Sequence, residues 1–148
     1  MNFQPSELTQ QVAQTAKDFA NQHIKPFVME WDESQEFPVQ VFKEMGKLGL
    51  MGVLVPEEYG GAGLSYAAYL ACVREISAAC AATGIIWATN FHAMKPLIDF
   101  GTEDQKRRLL PRIAEGAIGA LAITEPEAGS DATGMTTRFT PEGNDTII

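Results

Sequence analysis

Only two cysteines, Cys72 and Cys80, stand in the 148 residues, eight positions apart in apolar, helix-prone surroundings. They read as free thiols rather than a disulfide, because an unpaired cysteine packs as a small apolar side chain. Basic residues are scarce too: 11 Lys and Arg face 19 Asp and Glu, a formal charge of −8. Nucleic acid and anionic membranes need a clustered cationic surface, so neither is an expected partner. No apolar run approaches the roughly 18 residues of a membrane-spanning helix. Residues 1–6 lack the basic and apolar regions of a signal peptide, so the expected setting is cytoplasmic. No His, Cys or carboxylate cluster has metal-ligand spacing, and no metal is expected. Repeats and low-complexity segments are absent as well. Gly60, Gly61 and Gly63 form no G-x-G-x-x-G and precede no Lys-Ser/Thr pair, which argues against a phosphate loop and for a tight, backbone-close turn.

What the chain does have is a 45% hydrophobic composition, enough for one domain with a real core, and a run of helical patterns. Ser6 is a plausible cap for a helix whose apolar face runs Leu8, Val12, Ala16, Phe19, Ile24 and Phe27. Pro26 should kink or restart it, and lone His23 reads as a packed or rim residue. Asp32, Glu33 and Glu36 make a solvated connector. Phe37-Pro38 opens the next helix, with Val41, Phe42, Met45 and Leu48 inward and Gly49 as a left-handed cap. Residues 50–55 read as an extended apolar piece leading to the glycine-rich loop, which Ser65 ends as a cap. A helix over 66–82 follows, broad enough in its apolar coverage to be buried on more than one face.

After Thr83-Gly84, residues 85–100 are apolar nearly all round, which predicts a central helix. Its polar residues Thr89, Asn90 and His92 then need hydrogen-bond partners or a ligand cavity. Thr102 and Gln105 form a capping box, and the basic residues 106–108 and 112 read as a solvated helix face. Pro111 is expected to break or kink this helix, and Glu115-Gly116 closes it. From about Ala117 the pattern changes. Residues 118–123 read as a buried strand, 135–140 as a second, 141–145 as a turn and 146–148 as the start of a third. A strand left without a partner is a poor natural end, so the chain is expected to be a fragment.

The stretch from Ala122 through Thr124-Glu125-Pro126 to Gly129-Ser130-Asp131 organises the rest. A hydroxyl at a strand end and a glycine turn with convergent amides suit a polar cofactor edge and a phosphate, although such a sequence also makes an ordinary turn. Over some thirteen positions it resembles the signature of the acyl-CoA dehydrogenase family. Residues 56–63, Pro-Glu-Glu-Tyr-Gly-Gly-Ala-Gly, resemble a second family segment, and Phe-Gly-Thr-Glu-Asp-Gln-Lys at 100–106 a third.

The resemblance implies a mainly α fold: an N-terminal helical domain over 1–116, then the start of a truncated, β-barrel-like middle domain over 117–148, with the C-terminal helical bundle absent. It implies FAD as cofactor, an acyl-CoA substrate, an electron-transfer flavoprotein as electron acceptor and a homotetramer when complete. The implied reaction is α,β-dehydrogenation to the trans-2-enoyl-CoA, with α-proton removal by a carboxylate and hydride transfer to flavin. Carried onto this chain, Leu121, Ile123, Thr124, Gly129 and Ser130 would meet the cofactor. Ser130, Ile86, Trp87 and Asn90 would meet the substrate, and the catalytic base would lie beyond residue 148. Leu121 departs from the Tyr or Phe of many relatives. Glu125 belongs to the signature but is expected to be structural. The same fold implies two enzymatic alternatives, a flavin monooxygenase and an acyl-CoA oxidase. A stand-alone helical interaction domain is the non-enzyme alternative.

Overall fold

The computed structural model describes residues 4–138, 140–142 and 145–147. Six helices account for most of them. The Ser6 hydroxyl accepts the Thr9 N–H at 3.2 Å and opens α1, Glu7–His23. Its inward stripe is Thr9, Ala13, Ala16, Phe19 and Ala20. The expected stripe is therefore offset by one residue at its start, and Leu8 lies outward. Alanines on this face let α1 lie close against α4, Tyr66–Ala79, where the buried Cys72 thiol points at the Val12 carbonyl at 3.8 Å. Pro26 sits in a 3-10 turn, Lys25–Phe27, after which the chain restarts as α2, Val28–Ser34. The Pro26 restart is as the sequence predicts. Helix α3, Val39–Lys47, buries Val41, Phe42 and Met45, and Gly49 follows at a φ of 75°.

Residues 50–55 are not extended. They fold into a 3-10 turn, Leu50–Gly52, and a further turn that the glycine loop clasps. Gly63 N–H bonds the Val55 carbonyl at 2.8 Å, and Leu64 N–H bonds that of Val53, also at 2.8 Å. A Cβ at Gly61 would lie 2.1 Å from the Val55 carbonyl oxygen, so the close backbone approach is real. The coiled path buries Leu50, Met51, Val53 and Val55 together, which an unpaired extended strand could not do.

Ser65 caps α4 as predicted, but that helix stops at Ala79 rather than Ala82. Cys80 turns extended, and its sulfur accepts the Thr83 N–H to cap α5, Ala81–Phe100. Gly84 lies inside α5, where a Cβ would fall 2.1 Å from the Ser77 hydroxyl; the glycine is a contact point, not a break. Helix α5 is also less central than its composition implies. It buries Thr83, Gly84, Trp87, Asn90, Phe91 and Met94, whereas Ile85 is 60% and Phe100 86% exposed. The capping box at Thr102 and Gln105 opens α6, Glu103–Ala114. The helix runs through Pro111 without ending, and Gly116 at a φ of 109° closes it against the Phe42 carbonyl. The core is continuous around Phe42, Met45, Ile76 and Trp87, with a smaller cluster at Val55, Tyr59, Phe91 and Leu110.

The β expectations fare less well. Residues 118–123 are irregular, because no neighbouring strand offers them a ladder among the described residues. Nor is the segment buried: Ile118, Leu121 and Ile123 are all exposed. Residues 135–138 are likewise not a strand. Short antiparallel strands β1, Thr140–Glu142, and β2, Asp145–Ile147, pair with Thr140 opposite Ile147. Pro141, Glu142 and Asp145 thus belong to strands rather than to the predicted turn, and residues 139, 143, 144 and 148 lie outside the described residues.

Candidate functional site

The site is built where the chain leaves α6 and crosses α5. Ala117 N–H bonds the Arg112 carbonyl at 2.9 Å, and two residues later Gly119 N–H bonds the Asn90 side-chain oxygen at 2.5 Å. Leu121 and Ile123 then stand about half-exposed, and Thr124 follows with its hydroxyl bonded to nothing among the described residues. The chain next closes a tight turn. Glu125 and Ala128 exchange two backbone hydrogen bonds of 3.1 Å around Pro126-Glu127, and Ala128 is buried.

Glu125 holds the returning segment of this loop. One carboxylate oxygen accepts from the N–H and hydroxyl of Thr136, and the other accepts from the N–H and hydroxyl of Thr137. These donors, the Thr137 hydroxyl first, pull its pKa from 4.5 down to about 2. Beyond the turn, Gly129 has open space around it and Ser130 is exposed. The amides of Gly129, Ser130 and Asp131 donate to no group among the described residues. Asp131 is kept below the usual carboxylate range chiefly by the Thr133 hydroxyl. The arrangement offers an apolar strip ending in a hydroxyl, followed by a corner of donors, all without partners among the described residues.

The three expected substrate-side residues of α5 do not share one wall. Ile86 lines a cavity of about 430 Å³ with Trp31, Phe37 and Phe42. Trp87 is packed in the core, stacked on Tyr69 at 5.2 Å. Asn90 is buried beneath Gly119. A cleft of about 600 Å³ opens further along, between Ala93, Leu97 and Phe100 of α5, Leu109 and Arg112 of α6, and residues 117–120. None of the expected site residues lines it. Sequence reading missed Ala93 and Gly119, two small residues whose use is visible only once α5 and the crossing segment are adjacent. On the far side of α6, Tyr59 donates to Glu103 at 2.7 Å, and that carboxylate pushes the phenol up to about 12.

Among the described residues no helix is long and apolar enough to cross a membrane, and no cluster could hold a metal ion.

Residues 6–117 match the family described as acyl-CoA dehydrogenase, N-terminal domain. The chain belongs to the acyl-CoA dehydrogenase family. It is 43% identical to the probable acyl-CoA dehydrogenase YngJ of Bacillus subtilis, over all of this chain and 40% of that protein. It is 39% identical to the mitochondrial short-chain specific acyl-CoA dehydrogenase of Bos taurus, over 96% of this chain and 35% of that one. Among solved structures, the butyryl-CoA dehydrogenase of Megasphaera elsdenii superposes with a TM-score of 0.89 at 31% identity, covering 97% of this chain and 39% of that one. A chain in a structure of the electron transferring flavoprotein of Acidaminococcus fermentans superposes with a TM-score of 0.93 at 37% identity, covering 99% and 39%. An acyl-CoA dehydrogenase of Bacillus anthracis solved with FAD gives a TM-score of 0.84 at 37% identity, covering 91% and 23%. The chain thus spans about 40% of the length of the relatives it matches most fully. The family model itself ends at residue 117, while the likeness to these relatives runs on through the rest of the chain.

Proposed function

We propose that this chain forms the helical part of an FAD-dependent acyl-CoA dehydrogenase, together with the crossing segment that meets the flavin. The observation that carries this, beside family membership, is the exposed strip of Leu121 and Ile123 ending at the unpaired Thr124 hydroxyl. An apolar strip suits the face of a ring system, and a free donor at its end suits an edge that gains negative charge on reduction. Gly129, with room for a close approach, and Ser130 present unpaired amides to the pyrophosphate and the CoA chain. These residues fit FAD on one side only. The rest of its cradle is assigned to the part of the relatives that this chain does not span. Bound FAD supplies a hydride acceptor for the substrate β-carbon.

Ile86 is the substrate-side residue of α5 in this reading, while Asn90 lies buried beneath Gly119 and Trp87 stiffens that helix from the core. Glu125 is not the base, since its lone pairs are occupied by Thr136 and Thr137. The base is assigned to the unspanned region, and residues 117–148 to the start of the β domain. An electron-transfer flavoprotein as acceptor, a homotetrameric assembly and a cytoplasmic setting complete the reading.

The protein expressed from its complete reading frame should be yellow with FAD and reduce a dye acceptor with acyl-CoA thioesters. Failure to bind flavin, or flavin reduction by no thioester across a range of chain lengths, contradicts the assignment. Peroxide release matching substrate turnover would favour an oxidase instead.

A further inference from the structure

One buried side chain is used at one end and idle at the other. Asn90 is 2% exposed. A backbone N–H can only donate, so the bond from Gly119 fixes the amide oxygen toward residue 119 and the NH₂ group away from it. That Nδ2 has no partner among the described residues. Burying an idle donor costs free energy that a leucine of similar size avoids. The residue's use therefore lies in its oxygen.

Crowding at the same point agrees. A Cβ at position 119 would lie 2.7 Å from the Ala93 Cβ and 3.3 Å from the Asn90 oxygen. The crossing backbone thus rests directly on α5, and only small residues at 93 and 119 permit it. Among the described residues, Gly119 N–H carries the only backbone hydrogen bond of residues 118–124. One side chain anchors the whole strip.

We propose that Asn90 is a positioning residue: with Ala93 it latches Gly119 onto α5 and so sets where Leu121, Ile123 and Thr124 stand. Its effect on flavin rests on the reading of 121–124 as the flavin edge; the latch itself does not.

The test uses the FAD-loaded protein from the complete reading frame, read by hydrogen exchange over residues 117–123 and by the flavin visible band. Asn90→Leu removes the acceptor while keeping the branched shape. Gly119→Ala pushes the segment off α5 from the crossing side, without altering a residue of the helical core. Both should exchange roughly three- to tenfold faster at 117–123 and shift the band, as expected for one lost hydrogen bond. Asn90→Asp, which keeps an acceptor, should restore both towards the parent. Unchanged exchange in both Asn90→Leu and Gly119→Ala overturns the latch, as does an Asn90→Asp variant no slower than Asn90→Leu. Faster exchange with an unmoved band overturns the positioning role and puts the fault in the flavin-edge reading.

Discussion

Glu125 shows how a residue type can mislead about its work. A glutamate in a family signature invites a catalytic role, yet its carboxylate closes a loop on Thr136 and Thr137. Because the clamp lowers its pKa from 4.5 to about 2, its contribution is full above pH 4.5 and is lost as the pH falls through about 2. Amide resonances of Thr136 and Thr137 followed by acid titration should move across that window. In Glu125→Gln they should sit near their released positions already at pH 7, and wild-type-like shifts in that variant would contradict the clamp. Gly61 makes an opposite case, where sequence and structure agree. Adding a methyl 2.1 Å from the Val55 oxygen should destabilise Gly61→Ala by about 1–3 kcal/mol, read from denaturant midpoints. A neutral substitution would mean that the loop can open without cost.

At the scale of elements, caps were the most legible signal. Ser6, Ser65 and Thr102 all accept the amides their positions predict. Thr102→Ala should therefore cost about 1 kcal/mol, measured as a lower melting midpoint, while Asp at that position should keep most of it. Two features near the start of α5 were not legible. Cys80 caps α5 through sulfur, which is not among the favoured capping side chains, and Gly84 serves packing against Ser77 rather than chain reversal. Pro111 lies in the last turn of α6 and does not end it. The exposed Ile85 and Phe100 show the deeper reason why α5 was misjudged: apolar composition marks surface that needs covering, not which partner covers it. The predicted strand at 118–123 failed similarly, since a strand is defined by a neighbour and periodicity is local.

For the whole molecule, the family was readable from three separated segments, and the matched region bears this out over 6–117. The candidate site was readable only in part. The order Leu121, Ile123, Thr124, Gly129 and Ser130 lay open in the signature, whereas the support beneath it, Asn90 with Ala93 and Gly119, required the crossing of two distant pieces. Because the proposed flavin edge covers one side of the cofactor only, the 148-residue chain should not bind FAD with submicromolar affinity; a fluorescence titration that saturates in that range would contradict a one-sided cradle. The most direct measurement is a crystal structure of the FAD-loaded protein from the complete reading frame. The isoalloxazine should lie against Leu121, Ile123 and Thr124, with the pyrophosphate beside Gly129 and Ser130. A flavin bound away from residues 121–130, or a crystal with no flavin in it, would contradict the account.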